Sequence, residues 1–199
     1  ITDTYEIGAR LYAGDLSGSA SIFYSESDLG RVVIDNFSLA QARTPERIYG
    51  LELAADYQAN RDLKIGGTLT WQEGEVYNSS RDEYIALNGY RIPPLKLTAY
   101  ADYQITSWWR SRLQALYSGN RVRAYEDAVG FGSRKVEDYI TLDLYNAFSV
   151  GPGTLNVGVE NLLNNQYHNV FGQLLRNNNN TSHIPARGAT LTLSYSFKW

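Results

Sequence analysis

The 199-residue chain carries 18 Lys and Arg against 21 Asp and Glu, a formal net charge of -3, and no Cys. The near-balance, with no basic block, excludes a nucleic-acid partner, and the missing Cys excludes disulfides, thiolate metal sites and cysteine nucleophiles. The mean hydropathy is -0.37 and no run of about 18 apolar residues occurs, which excludes a transmembrane helix but not a transmembrane barrel, whose strands alternate.

The 16 Tyr, 4 Trp and 6 Phe are side chains favoured where one end is dry and the other wet. The chain contains no Met and opens straight into a strand-like pattern at Ile1 without a signal peptide. It reads as part of something longer.

Period-2 alternation runs from end to end, the signature of strands with one apolar and one polar face. Tyr5, Ile7, Ala9 and Leu11 open the series. Ala20, Ile22 and Tyr24 follow, with Phe23 breaking the pattern. Tyr49, Leu51, Leu53, Ala55 and Tyr57 form the next run, then Leu63, Ile65, Leu69 and Trp71. Leu95 to Tyr103, Trp109 to Tyr117, Ile140 to Phe148 and Leu155 to Val159 continue it. Leu191, Leu193, Tyr195, Phe197 and Trp199 close it, with Thr190, Thr192, Ser194, Ser196 and Lys198 opposite. This predicts about nine strands of the ~9–11 residues that cross a bilayer at a tilt.

Short turns are predicted at Ala13-Gly14-Asp15, Asn60-Arg61-Asp62, Thr106-Ser107 and Gly151-Pro152-Gly153. Long polar segments are predicted near 26–46, 78–91, 119–136 and 166–187. The strict short-long order matches the short periplasmic turns and longer extracellular loops of outer-membrane barrels. The fold class expected is all-β, an antiparallel transmembrane β-barrel in the bacterial outer membrane. The bland rival, a soluble β-sandwich, does not require that order. Glu52, Asp56, Lys96, Asp102, Arg110, Arg112, Asp143 and Glu160 fall on the polar face, where an aqueous lumen tolerates them. They are expected to pair across strands or to hold whatever fills the lumen. An odd strand count does not close a bacterial barrel, and open edges cannot face lipid, so the sheet is expected to continue beyond these residues.

Three pieces carry a family resemblance. Gly158-Val159-Glu160-Asn161-Leu162-Leu163-Asn164-Asn165-Gln166-Tyr167 is similar to the V-x-N-L-F/L-D/N-x-x-Y stretch near the end of TonB-dependent receptors. Tyr5-Glu6-Ile7-Gly8 and Arg47-Ile48-Tyr49-Gly50-Leu51-Glu52-Leu53 resemble two of the family's strands, in the expected order. The alternation Leu193, Tyr195, Phe197, Trp199 resembles the terminal assembly signal of outer-membrane proteins, with Trp where Phe is commoner. Val170-Phe171-Gly172-Gln173 with Pro185-Ala186-Arg187-Gly188 resembles the siderophore branch, near hydroxamate- or carboxylate-type receptors such as the aerobactin group.

The resemblance implies a 22-stranded barrel plugged by an N-terminal domain. Residues 1–199 would form the C-terminal portion of that barrel, with the plug and earlier strands absent. It implies a receptor that binds a ferric siderophore and imports it with TonB acting through the plug, with no enzyme activity and no intrinsic cofactor. The implied partners are TonB, the barrel assembly machinery, and the lipid bilayer with its lipopolysaccharide. Ligand contacts are expected from the loops: Tyr84, Tyr90, Arg91, Arg121, Arg123, Tyr125, Phe131, His168, Gln173, Arg176 and His183. Arg donates two hydrogen bonds to carboxylate-like oxygens, and aromatics supply rigid walls. Each has a plainer reading, as a solvated Arg or a Tyr that packs its own loop.

His168 and His183 are the only His residues, and no metal site is expected from them, since a siderophore supplies its own iron ligands. Asn177 to Asn180 reads as a loop tip, and the acceptor pattern Asn180-Thr181-Ser182 carries no meaning in a bacterial outer membrane. The alternatives are a hydrolase barrel, for which no Ser–His pair is evident, a translocator or adhesin barrel, which shares the terminal signal but not Asn161-Leu162-Leu163, and a passive porin.

Overall fold

The computed structural model describes residues 1–28, 31–35, 38–42, 44–126, 134–175 and 184–197. Nine long strands form one antiparallel path: β1 (Thr2–Ala13), β2 (Leu16–Ser27), β5 (Glu46–Gln58), β6 (Leu63–Asn78), β8 (Lys96–Thr106), β9 (Trp109–Ser118), β10 (Tyr139–Val150), β11 (Gly153–Glu160) and β12 (Thr190–Phe197). Each pairs with its neighbour in sequence, so the sheet is an up-and-down meander.

The register explains why alternation dictates the fold. Gly8, Ser21, Glu52, Thr70, Lys96, Ser118 and Tyr139 are successive cross-strand partners and make one row. The adjacent row is Ala9, Ala20, Leu53, Leu69, Leu97, Tyr117 and Ile140. One residue of slip in any strand would exchange the polar and apolar rows. The first row lines the lumen and the second meets lipid.

Aromatics bracket the apolar band. Tyr5, Tyr24 and Tyr49 are cross-strand partners at one end, with Trp71 edge-on to Tyr49 at 6.1 Å between ring centroids. Trp108, Trp109, Phe148, Tyr195 and Phe197 cluster at the other. Tyr49 and Tyr57, on β5, are roughly 27 Å apart along the strand at ~3.4 Å per residue. Asn146 faces outward within this band, and its side chain accepts from Trp109 Nε1 at 2.9 Å, so its polarity is satisfied in place. Tyr195 donates to the Val150 carbonyl at 2.8 Å.

Phe23, which breaks the alternation, faces the lumen opposite Gly50. A Cβ at Gly50 would lie 2.5 Å from the Phe23 ring, so the ring lies flat over the glycine. Tyr100 covers Gly66 and Tyr145 covers Gly158 in the same way. Three lumen-facing aromatics thus each rest on a cross-strand glycine, an arrangement that returns packing to a residue with no side chain.

The short turns lie where the sequence predicts. Gly14 and Gly151 take φ of 58° and 57°, a region that Gly enters without strain. Asn60 Oδ1 accepts from the Asp62 and Leu63 amides. Gln58 and Gln104 each reach across their own turn to two carbonyls.

The long connections contain more order than polarity suggested. Strands β3 (Arg31–Asp35) and β4 (Ser38–Ala42) pair antiparallel, and β7 (Glu83–Ala86) pairs with the end of β6. Two short helices follow, α1 (Arg123–Glu126) and α2 (Val170–Leu174). Among the described residues the buried apolar side chains all lie in this layer: Ile85, Ala86, Leu87, Ile92, Ala124, Val136 and Leu174. The compact core is therefore at the long-loop end, not in the sheet.

Phe197→Asp places a carboxylate on the lipid face near the aromatic band. It should lower the amount of assembled, heat-modifiable barrel in the membrane, whereas Ser196→Asp on the lumen side should leave it near wild type. Equal levels for the two would contradict the assignment of faces.

Candidate functional site

The candidate site is the lumen-facing surface at the long-loop end and the loop layer above it. Its anchor is the segment that follows β11. Asn161 and Asn164 adopt φ of 49° and 50°, a left-handed geometry that Asn tolerates better than most residues. Asn161 is 3% exposed. Its backbone amide donates to Asp143 Oδ1 at 2.8 Å, its Nδ2 donates to the carbonyls of Asn165 and Arg187, and its Oδ1 accepts from the Asn165 amide. Asn164 Oδ1 accepts from the Ala189 amide, and Asn165 Nδ2 donates to the Ile140 carbonyl. Tyr167 then stacks on Tyr139 with ring centroids 4.5 Å apart, and burial pushes its phenol pKa upward. This stretch therefore turns the chain off β11 and fastens the departing and returning ends of one loop together.

Gln173 continues the fastening. Its Oε1 accepts from the Glu137 amide at 2.7 Å, and its Nε2 donates to the carbonyls of Glu137 and His168. Gln173 is buried, so it joins the β9–β10 connection to the β11–β12 connection. Asn169 caps α2 by accepting from the Gly172 amide. Phe171 meets Tyr90 edge-on at 5.7 Å, Leu174 sits against Gly89, and burial raises the Tyr90 phenol.

Among the described residues, the predicted loop arginines stand in ion pairs. Arg121 forks onto Glu73 at 3.1 and 2.9 Å and also donates to the Leu87 carbonyl at 2.9 Å. Arg123 donates to Tyr49 Oη at 3.3 Å and to Glu75, and these acceptors hold its guanidinium pKa above the ordinary value. Arg91 forks onto Glu46. Arg47, not among the predicted residues, bridges Glu75 and lies 4.0 Å over the Tyr84 ring. Register places Glu73, Glu75, Arg47 and Tyr49 on the same face as Leu51 and Trp71, so Arg123 and Tyr84 belong to the outward side of the wall. Tyr125 is exposed with Lys135 4.9 Å from its ring centroid, and His168 is half-buried. Phe131, Arg176, His183 and Trp199 lie outside the described residues.

The lumen-facing charges divide. Asp56 pairs with Lys64, and Asp102 with both Arg110 and Arg112. Lys96, Glu52 and Glu160 make no ion pair among the described residues. Lys96 instead lines a cavity of about 300 Å3 with Thr70, Gln72, Ser118 and Tyr139 from the polar rows, Leu116 from β9, Pro93 and Pro94 before β8, and Val170 of α2. The sequence marked Lys96 only as one lumen charge among eight. What singles it out is a neighbourhood assembled from five separate stretches of chain. Among the described residues no three His, Asp or Glu side chains converge as metal ligands.

The family pattern described as TonB dependent receptor-like, beta-barrel, matches residues 1–162. The chain belongs to that family. The ferric aerobactin receptor of Escherichia coli is 29% identical over 215 residues, covering 98% of this chain and 26% of the receptor. The rhizobactin receptor of Rhizobium meliloti is 27% identical over 175 residues, covering 86% of this chain and 22% of the receptor. The chain thus spans about a quarter of the length of these curated relatives. Among solved structures, the copper transporter OprC superposes with a TM-score of 0.79 at 22% identity, covering 100% of this chain and 31% of that one. The siderophore receptor PiuA of Acinetobacter baumannii gives a TM-score of 0.68 at 20% identity, covering 100% and 28%. These structural likenesses carry the barrel fold.

Two substitutions separate wall from fastening. Arg121→Ala removes both hydrogen bonds to the largely buried Glu73 carboxylate and leaves it only Arg123 at 3.7 Å; it should cost about 1.5–3 kcal/mol, read as a lower midpoint for denaturant unfolding of the folded barrel. Asn161→Ala should lower the folded fraction more than Leu162→Ala, whose side chain is exposed. A folded fraction equal to that of Leu162→Ala would remove Asn161 from the fastening role.

Proposed function

We propose that this chain is the C-terminal part of a plugged outer-membrane barrel that binds a ferric siderophore at the cell surface and imports it. TonB would supply the work through a plug domain. The observation that carries the reading is the end-to-end match, over 98% of the chain, to a ferric aerobactin receptor. The geometry supports it: a polar lumen wall, a loop layer tied together at one end, and short turns at the other. In this reading the loop end faces outside and the short turns face the periplasm. A tight-binding receptor needs a roof whose shape survives ligand entry, and the Asn161 and Gln173 fastenings provide one. The chemistry required is recognition and release, so the chain needs no nucleophile or general base.

Tyr90, Arg91, His168 and Gln173 are proposed to shape the lumen mouth. Arg121, Arg123 and Tyr84 are proposed to hold the wall beneath the roof.

Deleting the gene should abolish uptake of a ferric hydroxamate–carboxylate siderophore by iron-starved cells. A protonophore should abolish uptake, but not surface binding, in wild-type cells. Undiminished uptake in the deletion strain would overturn the reading. Removing residues 169–184 should weaken surface binding while heat-modifiable barrel persists, and unchanged affinity would exclude that segment from the binding site.

A further inference from the structure

The cavity under α2 has an unusual donor balance. Thr70, Gln72, Lys96 and Ser118 supply hydroxyl, amide and ammonium donors, and no Asp or Glu contributes to its lining. The direct cross-strand neighbours of Lys96 are Thr70 and Ser118. The nearest acid in that row, Glu52, is two strands away, about 10 Å at the usual strand spacing. Of the other lumen cations on the sheet, Lys64, Arg110 and Arg112 already hold carboxylates, while Arg10 lies on β1 and takes no part in this cavity. An ammonium facing a partly enclosed space with neutral donors around it favours an anionic oxygen ligand. The cavity's apolar side, Pro94, Leu116 and Val170, suits the carbon skeleton that such an anion is attached to. Its volume of about 300 Å3 holds one arm of a chelate rather than a whole complex.

We infer that this cavity is an anion subsite in which Lys96, with Gln72, Thr70 and Ser118, binds a free carboxylate of the transported ferric chelate. The inference rests on the receptor reading above and specifies the substrate class: carboxylate-bearing chelates over neutral ones. Two sources could present a carboxylate here, the chelate or an acidic side chain from elsewhere in the polypeptide. The position at the loop end, beneath α2, favours the chelate.

The test uses membranes from cells expressing the complete gene, as wild type, Lys96→Ala and Lys96→Arg, with equal heat-modifiable barrel as the control for assembly. Each is titrated with ferric aerobactin labelled with radioactive iron, and with the same complex after methyl esterification of its uncoordinated carboxylates. Lys96→Ala should weaken binding of the acid about ten- to a hundredfold and leave the ester within about twofold, while Lys96→Arg stays near wild type. Equal losses for acid and ester, or no loss for either, overturn the subsite. Reduced barrel assembly in Lys96→Ala with unchanged acid affinity assigns Lys96 to an internal carboxylate and also overturns it. Wild-type membranes that bind neither chelate overturn the receptor reading, and the subsite falls with it.

Discussion

Backbone hydrogen bonding in a medium without water is the constraint on which the structure depends. Every amide and carbonyl in the bilayer must find a partner within the protein, and nine successive antiparallel strands meet that demand pairwise. Once pairing is imposed, the side chains have only two directions, and alternation decides which one is wet. The polar row from Gly8 to Tyr139 and the apolar row from Ala9 to Ile140 are two readings of one register. The aromatic bands, the outward Asn146 held by Trp109 and the lumen ion pairs are local adjustments to that frame.

The sheet has no conventional core, because one face meets lipid and the other an aqueous lumen. Close packing appears instead in the loop layer, where Leu87, Ile92, Val136 and Leu174 are buried and Gln173 ties two connections together. The wall is held by backbone pairing, and the roof by side-chain burial and amide networks. The family's V-E-N-L-L-N stretch sits at the junction. Its asparagines are explained by two demands made at once, a left-handed backbone and several hydrogen bonds to main-chain groups.

Much of the wall was legible in the sequence because its signal is local and repeated. Leu191 to Phe197 shows its facing in seven residues, and Gly14 and Gly151 mark their turns. The interruption at Phe23 was visible as an interruption only. Its cause is Gly50, on a different strand. The loop layer was less legible: β7, α1 and α2 are too short for a periodic signal and are defined by contacts with distant segments. The same holds for the arginines. Composition suggests Arg121 and Arg123 as ligand contacts, but their carboxylate partners Glu73 and Glu75 lie 48 positions upstream, beyond any local pattern. Lys96 is the converse, a residue distinguished by an acid-free cavity, where Lys64, Arg110 and Arg112 each have a carboxylate.

The rings of Phe23, Tyr100 and Tyr145, laid over glycines, also set the width of the lumen on this side. A tyrosine or phenylalanine standing upright would project its full length toward the axis, whereas a recumbent one adds little more than its own thickness. That side of the lumen therefore presents flat plates between the charged pairs, and clearance is governed by the main chain rather than by protruding aromatics.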